Sequence, residues 1–160
     1  MKTLLTALVL CSVTFGGSAP SFRGELLTGG KTSLDQIVKP NRLVLLSFWA
    51  TWCIPCIQEL KEVTTKLAAE PSLPIDLVTV NIDREDRSEV PALMKQLGFS
   101  FPVVMDPTSE IFGKYQKAGT PPFTVLISPK KEILHTFSGY HDTMFSTVKK
   151  TAEAFQKAGS

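Results

Sequence analysis

The clearest pattern along the chain is an apolar run, interrupted only by Ser47, that extends from Leu43 to Trp49. Such a run predicts a strand that is buried on both faces of a sheet. After it, apolar residues recur every three or four positions, which predicts an amphipathic helix from about residue 53 to 69. The recurring residues are Cys56, Ile57, Leu60, Val63, Leu67 and Ala68. Two cysteines therefore lie where a buried strand gives way to a helix.

Further strands and helices follow in alternation. The segment 75–82 is rich in β-branched residues and predicts a second strand, and the charged segment 83–89 after it is expected to be a solvated loop. We also expect a hairpin at residues 22–39, in which Ser33 caps a helical turn. A helix capped by Ser88 should end near Leu97, followed by a strand at 101–105 and a helix opened by Asp106. The chain should end with a hairpin formed by 123–127 and 132–137 and a final helix capped by Asp142.

The first residues have the features of a secretory signal. Lys2 supplies a positive charge, residues 4–15 are mostly apolar, and residues 17–19 form a small-residue cleavage site. The apolar run is too short for an ordinary membrane-spanning helix. We therefore predict a signal peptide at residues 1–19 and a mature domain at 20–160, with an uncleaved N-terminal anchor as the alternative.

Length, charge and cysteine content bear on the number of domains, the kind of partner and the cellular compartment. A chain of 160 residues is long enough for one domain with a full hydrophobic core. Its net charge of +2 neither favours nor excludes an acidic partner. Cys11 is interpreted as part of the apolar signal, because Leu10 precedes it where lipid attachment requires a small residue. Removal of the signal leaves Cys53 and Cys56 in an oxidising compartment.

Cys53 and Cys56 are separated by two residues at the predicted start of the helix. Unpaired backbone N–H groups and the positive end of the helix dipole both favour a thiolate there. A Cys-x-x-Cys in this setting indicates a redox-active dithiol. Zinc binding is the main competing interpretation, but it requires four ligands, and His135 and His141 lack the spacing of a zinc site. A third interpretation is that the two thiols are inert and structural. The neighbouring residues Trp49, Trp52 and Pro55 argue against it.

Two segments carry a family resemblance. Segment 48–59, Phe-Trp-Ala-Thr-Trp-Cys-Ile-Pro-Cys-Ile-Gln-Glu, resembles the active-site segment of thioredoxin-fold proteins, in particular the TlpA/ResA-like thiol–disulfide oxidoreductases of bacterial envelopes. Segment 119–127, Gly-Thr-Pro-Pro-Phe-Thr-Val-Leu-Ile, is similar to the cis-proline loop of that family and the strand after it. The sequence departs from the family at Lys61, where a proline is usual, and at Ser47, where cytosolic thioredoxins carry a buried acid.

The resemblance implies an α/β architecture, the thioredoxin fold. In this fold a central mixed β-sheet is flanked by helices, and the family adds an N-terminal hairpin extension and an extra βα insertion before the cis-proline loop. The interval between the strand at 75–82 and the loop at 119–122 is long enough for that additional strand and helix.

The chemistry expected of this dithiol is thiol–disulfide exchange. Cys53, at the start of the helix, is expected to be the exposed attacking sulfur, and Cys56 is expected to resolve the mixed disulfide. Glu59 follows Cys56 by three residues and matches a family glutamate that tunes the thiols, so the resemblance implies that it accepts a proton or raises a thiol pKa. The alternative is an ordinary solvated helix residue.

The resemblance also implies a substrate-binding surface beside the dithiol. A cis peptide bond is expected at Pro121–Pro122, because Pro122 precedes the strand in the family register, although counting from Tyr115 favours Pro121. A cis X–Pro bond is rare enough to be a specific feature, and here it would expose backbone near Cys53 for pairing with a substrate strand. Four residues are expected to contact substrate: Trp52, Pro55, Pro121 and Pro122.

We therefore expect an envelope oxidoreductase, located in the periplasm or extracytoplasmic space, that reduces disulfides in partner proteins. The resemblance implies disulfide-bearing or dithiol protein partners, a membrane protein that donates thiol reductant, a role in cytochrome c biogenesis, a monomer, and no cofactor, metal or nucleic acid. Two alternatives remain. A thioredoxin-fold peroxidase would need a lone peroxidatic cysteine in a Thr-x-x-Cys setting, and a non-enzymatic module would bind peptides or apocytochrome without needing its thiols.

Overall fold

The computed structural model describes residues 16–84 and 88–159. Residues 1–15, with most of the predicted signal and Cys11, lie outside the described residues, as do residues 85–87 of the charged segment. The elements in chain order are β1 (Gly16–Ser18), β2 (Arg23–Leu26), β3 (Lys31–Ser33), α1 (Leu34–Ile37), β4 (Leu43–Trp49), α2 (Ile54–Ala69), β5 (Ile75–Asn81), α3 (Glu89–Leu97), β6 (Val103–Met105), α4 (Glu110–Tyr115), β7 (Phe123–Ile127), β8 (Glu132–Ser138) and α5 (Met144–Ala158).

Within the described part of the chain, eight strands form one sheet in the order β1-β8-β7-β4-β5-β6-β2-β3. β4 pairs in parallel with β5 and antiparallel with β7, and β5 pairs in parallel with β6. The predicted central mixed sheet is therefore confirmed. The predicted N-terminal hairpin is formed by β2 and β3, and it joins the sheet because β2 pairs with β6.

β4 lies at the centre of the sheet and is buried along its whole length. Because successive side chains of a strand point to opposite faces, β4 contributes to two apolar clusters. Leu43 and Leu45 pack in the cluster that contains the buried face of α5. Val44, Leu46 and Phe48 pack in the cluster that contains residues of α3 and α4. The helices therefore cover both faces of the sheet, as predicted.

β1 was not predicted, because its residues were assigned to the signal peptide. Gly16 pairs with Ile133 and Ser18 with Glu132 on β8, and the Ala19 amide donates a hydrogen bond to the Lys131 carbonyl at 2.7 Å. Ala19 is 6% exposed and belongs to the apolar core. Residues 16–19 thus form part of the folded sheet when they are present, while cleavage after residue 19 remains a prediction.

The helix caps differ in part from the predictions. Ser33 caps α1 as expected, since its hydroxyl accepts the Gln36 amide at 3.4 Å. Asp142 does not cap the last helix, because α5 begins one residue later than that cap requires, with Thr143 in the N-cap position. The Ser88 side chain makes no capping hydrogen bond to α3, although α3 ends near residue 97 as predicted, with Gly98 in the left-handed conformation.

The predicted insertion before the cis-proline loop consists of β6 and α4. The Asp106 carboxylate opens α4 as expected, accepting hydrogen bonds from the amides of Ile111 at 3.1 Å and Phe112 at 2.8 Å. β6 is shorter than the predicted strand at 101–105. The Phe112 ring lies 5.2 Å from the Phe48 ring, between centroids, so the insertion packs directly against the central strand.

No helix in the part of the chain that the structure describes combines the length and the apolar character needed to cross a bilayer.

We predict that Phe112→Ala weakens the packing of α4 against the central sheet. Phe112 is 6% exposed and its ring contacts those of Phe48 and Phe123, so truncation leaves a cavity and should lower the free energy of unfolding by about 3–5 kcal/mol. Denaturant titration would measure this loss. Phe155→Ala on α5, a half-buried position, is the matched control and should cost less. Equal losses in the two variants would contradict the prediction.

Candidate active site

The two motif cysteines lie at the junction between β4 and α2. Cys53 occupies the N-cap position of α2, and its Sγ atom accepts a hydrogen bond from the Cys56 amide at 3.3 Å. Pro55 stands in the first turn, where the missing N–H has no helical partner to lose. Cys53 and Cys56 are joined by a disulfide, with 5.2 Å between their Cα atoms. The structure therefore shows the oxidised form of the predicted dithiol.

The expectation of an exposed Cys53 is wrong for this oxidised form. Cys53 is 4% exposed and Cys56 is 1% exposed. The neighbours of Cys53 are exposed instead, Trp52 at 66% and Ile54 at 72%. A partner that approaches the disulfide therefore meets these two apolar side chains first.

A buried aspartate holds the turn that carries Trp52. Asp83, which is 5% exposed, accepts hydrogen bonds from the Thr51 amide at 2.9 Å and the Thr51 hydroxyl at 3.1 Å. It also accepts a hydrogen bond from the Asn81 side-chain amide at 2.7 Å. The expectation of a solvated charged loop is therefore wrong at its first residue, since Asp83 belongs to the support of the site.

The cis peptide bond lies at Pro121–Pro122, which confirms the assignment made from the strand register. Pro122 is buried, and its carbonyl accepts a hydrogen bond from the Gly139 amide at 2.9 Å. Tyr140 follows on the same loop and donates a hydrogen bond to Glu62 of α2 at 2.6 Å. The loop after β8 thus connects the cis-proline segment to the helix that carries the cysteines.

A groove of about 760 Å³ runs beside the turn of Trp52. Its walls come from that turn, the loop after β5, α4 and the segment before β7, so the insertion supplies one side of it. The lining of the groove includes both acidic and basic side chains. The lining residues are Thr51, Trp52, Ile82, Asp83, Arg84, Glu89, Ser109, Phe112, Gly113, Gln116, Lys117, Gly119, Thr120 and Pro121. The structure thus brings two of the predicted substrate-binding residues, Trp52 and Pro121, to one groove.

Glu59 is not a solvated helix residue, because only 1% of it is exposed. Its Oε1 atom accepts hydrogen bonds from the Thr124 hydroxyl at 2.6 Å and the Ser47 hydroxyl at 3.3 Å. Its Oε2 atom is buried and has no hydrogen-bond partner among the described residues. A carboxyl group is therefore held inside the protein, under the helix that carries the dithiol, with one of its two oxygens satisfied.

Burial raises the pKa of Glu59 above its ordinary value of 4.5, because the ionised form loses its hydration. The hydrogen bonds from Thr124 and Ser47 and the charge of His141 act in the opposite direction, and the charge of Glu62 raises the pKa further. The group is thus poised to bind and release a proton nearer to neutral pH than a surface glutamate does. Such groups are common at functional sites.

Sequence reasoning missed two residues of this site, Thr124 and Asp83. Thr124 is a polar residue within the buried strand β7, directly opposite the polar Ser47 in β4. Two polar residues at paired positions of otherwise apolar strands are a signal that could have indicated a buried polar partner. Asp83 carried no such signal, since it begins a charged segment.

The raised pKa of Glu59 predicts that the protein loses stability as pH rises. The contribution of the neutral carboxyl is complete below the unfolded value of 4.5 and is lost as pH rises through the higher pKa of the folded state. Glu59→Gln stays neutral throughout. Denaturant titrations of the oxidised proteins should therefore show a smaller loss of unfolding free energy with pH in the variant than in wild type. A difference between the two proteins that is constant with pH would contradict this.

Comparison with known proteins places this geometry in a family. Residues 15–136 match the AhpC/TSA family. The chain is 30% identical over 128 residues to the thiol-disulfide oxidoreductase ResA of Bacillus subtilis. This alignment covers 80% of the present chain and 69% of ResA. It is 33% identical over 109 residues to the sporulation thiol-disulfide oxidoreductase A of the same organism, covering 66% of each chain.

A solved structure shows the same fold. A thiol-disulfide oxidoreductase of Bacteroides fragilis superposes with a TM-score of 0.72 at 27% identity, covering 84% of this chain and 98% of that one. Such neighbours have the thioredoxin fold, so the predicted fold is confirmed. The family match shows that the chain belongs to the AhpC/TSA family. Its similarity to ResA and the Cys53–Cys56 disulfide at the start of α2 identify it as a thiol–disulfide oxidoreductase of the ResA kind.

Proposed function

We propose that this oxidoreductase reduces disulfides in partner proteins of the bacterial envelope, with apocytochrome c as one candidate substrate. The observation that carries the proposal is the surface around the disulfide. Trp52, Ile54 and Tyr140 are the exposed large hydrophobic residues of the described chain. Two of them flank Cys53, and Tyr140 is hydrogen bonded to the same helix. Exposed aromatic and apolar side chains of this kind are suited to contact a protein substrate.

The reaction begins from the reduced enzyme. The Cys53 thiolate attacks one sulfur of the partner disulfide, which forms a mixed disulfide and releases the first partner thiolate. Glu59 accepts the proton of the Cys56 thiol, and the resulting Cys56 thiolate attacks Cys53. The mixed disulfide breaks, the second partner thiolate leaves, and the Cys53–Cys56 disulfide forms. The partner gains two electrons and the enzyme loses two, so a dithiol donor, which we propose to be a membrane protein, must return them.

Both cysteine roles agree with the local geometry. Cys53 is the N-cap of α2, where the helix dipole and the first amides stabilise a thiolate. Cys56 lies within the first turn of α2 and is bonded to Cys53 in the oxidised form, so it is placed to attack Cys53 in a mixed disulfide. Glu59 follows Cys56 by about one turn of α2, inside the protein, where a carboxyl with a raised pKa can receive a proton.

Membership of the AhpC/TSA family makes a peroxidase the second candidate. The peroxidatic cysteine of such enzymes stands in a Thr-x-x-Cys setting, whereas Ala50 stands three residues before Cys53 here. Insulin reduction and peroxide consumption, measured side by side on wild type and Cys53→Ser, decide between them. The proposed function requires insulin reduction that is lost in Cys53→Ser. Peroxide consumption without insulin reduction would establish the peroxidase, and partner binding that survives Cys53→Ser without either activity would indicate a non-enzymatic module.

We predict that Cys56→Ser traps covalent partner complexes. The variant keeps the attacking Cys53 and lacks the sulfur that resolves the mixed disulfide, so adducts accumulate. Non-reducing gels should show them in Cys56→Ser and lose them on addition of dithiothreitol. Cys53→Ser is the matched control and should form few adducts. Adducts that form in Cys53→Ser and are absent from Cys56→Ser would reverse the two roles.

We also propose that the signal at residues 1–19 delivers the chain to the envelope and is removed there. Cleavage after Ala19 would remove β1 and leave that edge of β8 unpaired, and Tyr115 would still bond the Pro20 carbonyl, at 2.8 Å in the structure. Intact-mass measurement of protein released from the envelope without detergent should give a first residue near Pro20. Retention of residues 1–19, or a lipid on Cys11, would support an anchored protein instead.

A further inference from the structure

The Glu59 carboxyl is held by two hydroxyl groups that face each other across the sheet. Ser47 of β4 and Thr124 of β7 are directly paired in the antiparallel ladder. Residues paired in this way project on the same face of a sheet, so both hydroxyls reach the same atom, Oε1 of Glu59. The arrangement depends on the register of two buried strands, because a one-residue shift of either strand would turn its own hydroxyl to the opposite face of the sheet.

The two carboxyl oxygens consequently differ. Oε1 receives two hydrogen bonds, which occupy its lone pairs, whereas the buried Oε2 has no hydrogen-bond partner among the described residues. A proton that binds to Glu59 is therefore accommodated on Oε2. Buried polar atoms are rarely left without a partner, so the unpartnered Oε2 calls for an explanation.

We propose that Thr124, assisted by Ser47, is a positioning residue that fixes the Glu59 carboxyl so that Oε2 alone exchanges a proton with the dithiol. The inference rests on the proposed function, in which Glu59 takes the Cys56 proton. In that step the Cys56 S–H bond breaks, an O–H bond forms at Oε2, and the thiolate keeps the electron pair. Thr124 and Ser47 donate to Oε1 and take no part in the transfer.

Thr124 is the stronger of the two donors. Its hydroxyl lies 2.6 Å from Oε1, against 3.3 Å for Ser47, and hydrogen bonds to an ionised acceptor strengthen as they shorten. The charged groups that face Glu59 are Glu62 on α2 and His141 in the loop after β8, and the Tyr140 phenol lies on that same loop. From β4 and β7, only the hydroxyls of Ser47 and Thr124 are hydrogen bonded to Glu59. Removing these hydroxyls therefore changes the hydrogen bonding of the carboxyl without changing any charge.

The direct test is titration of Glu59 in the oxidised protein by NMR of ¹³C-labelled carboxyl groups, with Glu59→Gln identifying the signal. The disulfide does not titrate, so the thiols do not contribute. Thr124→Val removes the donor and keeps the side-chain shape, and it should raise the Glu59 midpoint by about one pH unit. Ser47→Ala should raise it less, and Thr124→Ser, which keeps the hydroxyl, should restore it.

A second measurement shows whether Thr124 acts through Glu59. The observable is the pH profile of thiol alkylation in the reduced protein, which belongs to the coupled pair of cysteines. Glu59→Gln removes a negative charge near the thiolates and should move the profile to lower pH. Thr124→Val should move it in the same direction by less, and should have no further effect in the Glu59→Gln background.

The outcomes separate the inference from the proposed function. The role of Thr124 is overturned if Thr124→Val leaves the midpoint of the Glu59 titration unchanged. It is also overturned if Ser47→Ala moves that midpoint as far as Thr124→Val does. Should Thr124→Val fail to fold, the Ser47→Ala titration decides, and an unmoved midpoint overturns the inference. An alkylation profile that Glu59→Gln leaves unchanged refutes proton exchange with the dithiol even where the NMR midpoint moves. Absence of insulin reduction by wild type refutes the proposed function and leaves the NMR result intact.

Discussion

The burial of β4 on both faces is the constraint on which the position of the active site depends. All of its residues from Leu43 to Trp49 are buried, so its pairing with β5 and β7 cannot slip by one residue without exchanging the two faces. The strand therefore ends at a fixed point in the sheet. Trp49 is paired with Asn81 at that end, which places Asp83 where it can hold the amide and hydroxyl of Thr51. The cysteines follow immediately, at the start of α2.

The same register explains how a carboxyl group can be kept in the core. Burial of an ionisable group is costly unless hydrogen bonds replace its hydration. Ser47 and Thr124 are brought together by the ladder and replace that hydration at one oxygen of Glu59. Stability alone would favour a partner for the other oxygen as well. The cost that remains raises the pKa of Glu59, which is the direction that the proposed proton transfer from Cys56 requires.

The parts of the fold that local patterns specify were predictable, and those that depend on long-range packing were not. Apolar periodicity was sufficient for β4 and α2, and the strand register was sufficient for the cis bond at Pro121–Pro122. β1 could not be predicted, because small residues that resemble a cleavage site become a strand only by pairing with β8. Burial of Glu59 depends on how α2 lies over β4 and β7, which its position three residues after Cys56 does not determine. The expected cap at Asp142 failed because α5 begins one residue later than that cap requires, with Thr143 in the N-cap position.

The position of the acid distinguishes this site from that of cytosolic thioredoxins, which carry a buried acid where this chain has Ser47. Here the helix supplies the carboxyl, through Glu59, and the strand supplies a hydroxyl that donates to it. Both kinds of site contain a buried acid, but different elements hold it. An acid on α2 is attached to the same rigid helix as Cys56, so the distance between them along the helix stays constant whatever the sheet does. The sheet contributes the hydrogen bonds of Ser47 and Thr124, which lower the pKa of Glu59, while burial of the carboxyl raises it.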